Sequence, residues 1–292
     1  MGITKNIKAH IALFLVNLIY ALSYGFSKEV MNGYLPAFTF IMFRVLGATL
    51  LFWILFFKTE KIEKKDFFKL ALAAVFGVAA NQLMFFEGLF HTSSINASII
   101  MVNTPILVLI FSSILLKEKI SKRKVLGVFI GLLGAVALIS FKDNTTQNEA
   151  TLYGDLFIFL NASSYALYLV LVKPLMSKYS PFTVMKWVFT FGAVYVIPFG
   201  FSQVFGANFE MPLDIILKVG FVIVFTTFLT YLFTMYALDK VMPTTVSAYV
   251  YLQPVLTTVF ALLLGYGKPN LVHLICAIAI FLGVYLVSFK KK

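Results

Sequence analysis

Long apolar stretches alternate with short polar ones along the whole chain. A helix that crosses a bilayer needs about 20 mostly apolar residues. Lipid admits only helices or closed barrels, since every backbone polar group must be satisfied internally, and these stretches are too long and continuous for barrel strands. The pattern therefore predicts an all-α integral membrane protein with ten transmembrane helices, called span 1 to span 10. They lie at 9–27, 35–57, 67–90, 94–116, 122–141, 152–172, 180–201, 214–238, 244–265 and 268–289.

Composition excludes several classes of protein. Hydrophobic residues make up 61% of the chain and charged residues 12%, whereas soluble domains are about 45–50% apolar and about 25% charged. The single cysteine, Cys276, allows neither an intrachain disulfide nor a cysteine metal cluster. No GxxxxGK[ST] loop and no HExxH motif occurs. We therefore expect no cofactor, no metal and no catalytic activity.

The basic residues predict the orientation of the chain. Of 24 Lys and Arg residues, 18 fall on one side of a ten-span arrangement and four on the other. The positive-inside rule then puts both termini in the cytoplasm and the protein in the cytoplasmic (inner) membrane. The net charge of +12 is thus a topology signal, and we expect a lipid bilayer but no nucleic acid as partner. In an alternative interpretation, span 1 is a signal peptide cleaved near Ser23, which leaves nine spans.

The two halves of the chain resemble each other. A shift of 149 residues places Pro105 on Pro254 and Gly134 on Gly283, and a shift of 144 places Asn17 on Asn161. Each half holds five spans, so the second half starts on the opposite side of the membrane. The fold class is therefore ten helices as two inverted five-helix repeats, at 1–141 and 152–292, joined by a linker at 142–151. Transporters use this architecture to alternate between inward-open and outward-open shapes.

Polar residues form stripes on six spans, which are three repeat-related pairs. Such residues are costly in lipid and face the bundle interior or a water-filled cavity. We expect them to line a path for a small-molecule substrate, although they could instead hydrogen-bond helices together. The several tyrosines suit an organic substrate with an apolar part. The candidates are Asn17, Tyr20, Tyr24, Asn81, Gln82, Asn96, Asn103, Asn161, Tyr165, Tyr168, Thr230, Tyr231, Tyr249 and Gln253.

Charges and prolines inside spans are the other candidates. Arg44 in span 2 could pair with Glu87 in span 3, clamp a substrate carboxylate, or reach lipid headgroups. Glu87 precedes His91 by four residues, a spacing that also fits a proton relay. Pro105 and Pro254 are expected to remove helix hydrogen bonds in mid-span, which makes each a hinge or a static kink. Glycines at 127, 131 and 134 predict close helix packing.

The best-matched stretch, 85–134, carries motifs of a known family. They are Thr92-Ser93, Pro105, Glu118-Lys119-Ile120-Ser121, Gly127 and Gly134, with Lys28 and Phe43-Arg44 before them, while Tyr20 stands where the family usually has Trp. The chain resembles the EamA-domain type of the drug/metabolite transporter superfamily, although the loop at 267–270 departs from the motif. The resemblance implies a secondary transporter that exports amino acids or similar amphipathic metabolites. A multidrug exporter, a non-transporting receptor and a membrane-embedded enzyme are the alternatives.

Overall fold

Ten helical spans can be followed in the part of the chain that the structure describes. The computed structural model describes residues 2–92, 97, 100–140, 151–263 and 271–288, and no β-strand occurs among them. Seven helices in these ranges are long and apolar enough to cross a membrane. The prediction of an all-α membrane protein with ten spans is confirmed. The spans are Gly2–Met31, Ala37–Leu55, 64–91, Thr104–Leu115 (with helical residues before it), Lys122–Ser140, Leu152–Val172, Pro181–Ser202, Leu213–Lys240, 243–263 and Leu271–Ser288.

Contacts between spans follow the internal repeat. Span 2 packs on span 7, span 4 on span 9 and span 5 on span 10. Span 3 packs on spans 6 and 7, and span 8 correspondingly packs on spans 1 and 2. Span 4 also packs on span 6, as span 9 does on span 1. Exchanging every span for the one five places along maps these contacts onto themselves, as expected for two inverted five-helix repeats.

Spans 5 and 10 cross closely through glycines. A Cβ atom on Gly127 would lie 2.8 Å from the carbonyl oxygen of Gly283, and one on Gly283 would lie 2.7 Å from that of Gly127. Gly131 and Gly134 are equally confined, by Tyr251 and by Ile280. The predicted close packing of these glycines is confirmed, and only a residue without a side chain permits it.

Helical irregularities also recur in both repeats. Span 3 is π-helical over Val75–Ala79, and span 8 over Val222–Leu229, which covers the positions related by 149 residues. Span 4 is interrupted by a turn at 102–103, and span 9 by a 3₁₀ turn at Tyr249–Tyr251. Isolated π-helical turns in α-helices often mark functional sites.

The two interruptions correct the expectation for the prolines. Pro105 is the second residue of Thr104–Leu115, and Pro254 is the third of Leu252–Leu263. Each proline stands in the first turn of a helix, where its missing N–H costs nothing. The break precedes the proline in both spans. Asn103 and Thr104 donate side-chain hydrogen bonds to the carbonyls of Ile100 and Met101, at 3.2 and 2.6 Å.

Ion pairs with swapped charges lie at repeat-related positions on the two faces. On one face, Lys178 contacts Asp66 at 2.8 Å, and this raises the pKa of Lys178. On the other, Glu29 pairs with Lys218, which also contacts Asp214 at 3.1 Å. Positions 29 and 178 are related by the shift of 149. The first pair ties the loop between spans 6 and 7 to span 3, and the second ties span 1 to span 8.

A third polar contact joins the loop after span 4 to the start of span 9. Glu118 from the family-like motif is buried, forms an ion pair with Lys124 and accepts a hydrogen bond from Thr244 at 2.8 Å. Lys117, with φ of 52°, turns the chain after span 4. The motif glutamate therefore anchors a loop. The predicted linker lies outside the described residues except for Thr151.

Candidate functional site

The π-helical segment of span 3 offers backbone carbonyls to side chains of other spans. Ser164 donates to the carbonyl of Phe76 at 2.7 Å, and Tyr231 donates to that of Gly77 at 2.9 Å. In span 8, Thr227 donates to the carbonyl of Val222 at 2.9 Å within its own π-helical segment. Spans 6 and 8 therefore meet span 3 through polar contacts at the middle of the bundle.

Asn161 and Asn81 extend this interface. The side-chain amide of Asn161 donates to the backbone carbonyl of Asn81, again linking span 6 to span 3. Asn161 is buried, whereas the Asn81 side chain is half-buried. The path was predicted to involve both side chains, but here Asn81 contributes its backbone to the contact.

Tyr168 fills the space opposite Gly77. A Cβ atom at Gly77 would lie 2.3 Å from the Tyr168 ring, so glycine is required there. The tyrosine is fully buried, and its hydroxyl lies 3.8 Å from the sulfur of Met185. Tyr168 was predicted to line the path; its ring packs on Gly77 in this structure, and its role in the path stays a prediction.

Five side chains converge beside these contacts, and we call them the central polar cluster: Tyr20, Arg44, Gln82, Thr230 and Tyr231. Thr230 hydrogen-bonds the hydroxyl of Tyr20 at 3.3 Å, which links span 8 to span 1. The guanidinium of Arg44 lies within electrostatic range of the hydroxyls of Tyr20 and Tyr231. The amide of Gln82 lies next to the Tyr231 hydroxyl. The cluster thus draws residues from spans 1, 2, 3 and 8.

Arg44 is the one charge in this cluster. It is 8% exposed, and its Nε donates to the hydroxyl of Thr227 at 3.1 Å. Glu87 contacts His91 instead, at 3.4 Å. The suggested ion pair between Arg44 and Glu87 is therefore absent, because the two side chains are directed to different neighbours. The spacing of Glu87 and His91 remains compatible with a proton relay, which stays a prediction.

Several buried polar atoms around the cluster make no hydrogen bond within the described part of the chain. They include both amide atoms of Gln82 and the side-chain oxygens of Asn17, Asn161 and Thr226. Asn17 nevertheless donates from its amide nitrogen to the carbonyl of Leu13 at 2.7 Å. Buried polar groups in proteins are nearly all satisfied, so a group of such atoms indicates a place for water or a ligand.

The remaining predicted residues lie around this centre. Tyr165 packs on Tyr168, with ring centroids 6.2 Å apart. Tyr249 contacts His10, with 2.8 Å between its hydroxyl and Nδ1, so it belongs to a separate contact of spans 1 and 9. Gln253 is half-buried in span 9. Asn96 and the side chain of Tyr24 lie outside the described residues.

Sequence reasoning missed Gly77 and His10. The signal for Gly77 was a small residue in a span whose repeat partner, span 8, carries Thr230 and Tyr231. The signal for His10 was a histidine in the first turns of span 1. No group of three or more metal-ligating side chains occurs in the part of the chain that the structure describes. The site is therefore built from hydroxyls, amides, aromatic rings and one guanidinium.

Comparison with known proteins identifies the family. The model of the EamA-like transporter family matches residues 7–140 and 152–289, once in each half. The chain belongs to the EamA-like transporter family. The earlier resemblance is thereby confirmed, and the two family matches coincide with the five-span halves that pack symmetrically.

Relatives of this EamA-like chain span its full length. An uncharacterized transporter of Archaeoglobus fulgidus is 28% identical over 98% of this chain and 99% of its own. Uncharacterized transporter YyaM of Bacillus subtilis is 26% identical over 97% and 94%. A WAT1-related protein of Arabidopsis thaliana is 27% identical over 100% and 88%. A crystal structure with 16% identity covers 98% of this chain and 96% of its own with a TM-score of 0.76, which shows the shared fold.

Proposed function

We propose that this EamA-family protein is a secondary transporter that exports small amphipathic metabolites, amino acids among them, by alternating access. The observation that carries the proposal is the central polar cluster, which lies in mid-bundle where the two inverted repeats meet. Transporters of inverted-repeat architecture bind substrate at this place. No ATP-binding motif occurs in the sequence, so the substrate gradient or a coupled ion would supply the energy.

The proposed orientation follows from charge. With 18 basic residues on the side of the termini, both termini would lie in the cytoplasm, and the protein would sit in the cytoplasmic (inner) membrane. The relatives named as transporters support the class of function. Export and the substrate class are the part that this proposal adds.

Counterflow in proteoliposomes tests the proposal directly. Purified protein is reconstituted and assayed with labelled amino acids, nucleosides and lipophilic cations, with and without a pH gradient. We expect saturable counterflow of amino acids. Saturable movement of nucleosides alone would overturn the substrate class, and movement of no compound by folded protein would overturn the transport function.

A multidrug exporter is the second candidate, and aromatic packing favours it. Tyr168 lies 6.2 Å from Tyr165 and 6.4 Å from Tyr231, measured between ring centroids. Such ring groups accommodate large apolar cations. Counterflow of lipophilic cations without that of amino acids would favour this candidate, but the buried guanidinium of Arg44 opposes the entry of a cation.

A further inference from the structure

Arg44 carries a positive charge into the bundle without a partner of opposite charge. It is 8% exposed, and its neighbours are the hydroxyl of Thr227 and the Phe40 ring, whose centroid is 5.7 Å away. Among the described residues, no carboxylate lies within 4.0 Å of its nitrogens, since every ion pair found there involves other side chains. A buried ion normally has a partner, because removal from water costs several kcal/mol.

The neighbours of Arg44 cannot replace that partner. One neutral hydroxyl satisfies one of the five N–H donors of a guanidinium. The Phe40 ring adds an interaction of about 0.5–2 kcal/mol, which is smaller than the desolvation cost of a cation. Tyr20 accepts from Thr230 and Tyr231 donates to the carbonyl of Gly77, and since both hydroxyls are neutral, neither supplies the missing negative charge. The electrostatics of the site therefore favour the entry of an anion.

Gln82 is a second and independent indication of a ligand. Its side chain is 5% exposed, and among the described residues its amide lies beside the Tyr231 hydroxyl without forming a hydrogen bond of good geometry. Gln82 lies beside Tyr231, and the hydroxyl of Tyr231 also interacts electrostatically with the guanidinium of Arg44. An amide can accept two hydrogen bonds and donate two, so Gln82 suits a second polar group on the same small molecule.

We propose that Arg44 binds the carboxylate of the transported substrate and that Gln82 binds a neighbouring polar group. This inference rests on the proposed transport function and narrows its substrates to small organic molecules with a free carboxylate. A guanidinium matches a carboxylate in bidentate geometry, and the charge-assisted bonds are about twice as strong as neutral ones. Bound substrate would also supply the counter-charge that Arg44 lacks.

A set of matched ligands tests this proposal. The probes are phenylalanine, its primary amide and phenethylamine, which share the ring and differ in the carboxyl group. Each is assayed by competition in counterflow and by its effect on the melting temperature of purified protein. We expect phenylalanine to compete and to raise the melting temperature, and its amide and the amine to do neither. Equal competition by the amide would overturn the proposal.

Variants of Arg44 separate a binding role from a structural one. We expect Arg44→Gln to raise the KM for the carboxylate at least 10-fold and Arg44→Lys to raise it less, because lysine keeps the charge but not the bidentate geometry. The melting temperature without ligand should stay the same or rise, since an unpaired buried cation is removed. A lower melting temperature with an unchanged KM would show that Arg44 is structural and would overturn the proposal.

Arg123 provides the matched control, as the only other arginine in the chain. It lies near the start of span 5, with its guanidinium 5.4 Å from the Tyr285 ring centroid. Arg123→Gln should leave the KM unchanged. Gln82→Leu is the second site variant, and it should raise the KM without lowering the melting temperature, because the buried amide that it removes makes no well-formed hydrogen bond with the described residues.

The same assays distinguish a failure of the proposed transport function from a failure of the proposed carboxylate site. If phenylalanine stabilises wild-type protein but not Arg44→Gln, and no compound moves in counterflow, the anion site stands and the protein is a receptor. If lipophilic cations move and phenylalanine neither binds nor competes, transport stands and the carboxylate site is wrong.

Discussion

Single residues determine the shape of the central polar cluster, and glycine at position 77 is the clearest case. Its hydrogen atom faces the Tyr168 ring, and its carbonyl accepts from Tyr231. A methyl group there would overlap the Tyr168 ring. The glycine therefore permits the π-helical turn of span 3 to touch spans 6 and 8 at once.

We expect Gly77→Ala to lower the free energy of unfolding by about 1–3 kcal/mol, the usual cost of overpacking. The measurement is thermal or chemical denaturation in detergent. Gly220→Ala is the control, because no heavy atom lies within 4 Å of the added Cβ. Equal stability of the two variants would contradict the proposed tight contact with Tyr168.

Accessibility of Gln82 tests whether the cluster meets water during transport. We expect Gln82→Cys, in a Cys276→Ala background, to react with a water-soluble thiol reagent, and we expect substrate to protect it. Ile278→Cys is the control, since its side chain is 59% exposed on the apolar surface of span 10 and should face lipid. A Gln82→Cys variant as inert as Ile278→Cys would remove this position from the path.

At the scale of elements, spans 4 and 9 are each interrupted within the described residues. Each break leaves a short helical piece before a proline, at equivalent places in the two repeats. A break of this kind concentrates bending in a few backbone torsions. Alternating access involves bending of spans, so we predict that these breaks are the hinges of the proposed cycle.

We expect Pro254→Ala to slow counterflow several-fold and to leave the yield of folded protein unchanged. Alanine adds an N–H that can bond to the carbonyl of Val250, four residues earlier, and so hold the 3₁₀ turn at Tyr249–Tyr251 rigidly to the helix that follows. Rates are measured per amount of folded protein in proteoliposomes. Pro198→Ala is the control, because Pro198 lies inside the continuous helix Pro181–Ser202. A normal rate with a poor yield for Pro254→Ala would show a role in folding alone.

At the scale of the whole molecule, the two repeats make the same contacts on opposite faces. The charge-swapped pairs of Lys178 with Asp66 and of Glu29 with Lys218 illustrate this. Their side chains are exposed enough to be labelled, at 40% for Lys178 and 55% for Glu29. Inversion of the repeats requires these two equivalent positions to lie on opposite sides of the membrane.

We therefore expect a membrane-impermeant maleimide to label Glu29→Cys in intact cells and Lys178→Cys only after permeabilisation, both in a Cys276→Ala background. This is the outcome that the positive-inside rule requires, with the lysine-rich face in the cytoplasm. The reverse pattern would invert the proposed orientation. Labelling of both positions from the same side would contradict the inverted repeat.

Particular residues show how far sequence reasoning reached. The glycine spacing in span 5 predicted the close crossing with span 10, because a row of residues without side chains lets a neighbouring helix approach closely. The stripe of span 8 correctly indicated an inward-facing side, and Thr230 and Tyr231 lie there. The contact of Arg44 with Thr227 was not predictable from the sequence. A charged residue within a span indicates that a polar partner is needed, but it does not indicate which residue of another span lies near it.

The sequence by itself determined the ten spans, the inverted repeat and the asymmetry of charge between the two faces. These follow from residue type and spacing alone, because lipid permits few backbone structures and each helix face recurs with a fixed period. Tertiary structure alone decided that Arg44 meets Thr227, that Tyr168 is buried against Gly77, and that π-helical carbonyls accept side chains from other spans. The physical reason is that periodicity defines the face of each helix, whereas which faces meet depends on packing among spans far apart in the chain.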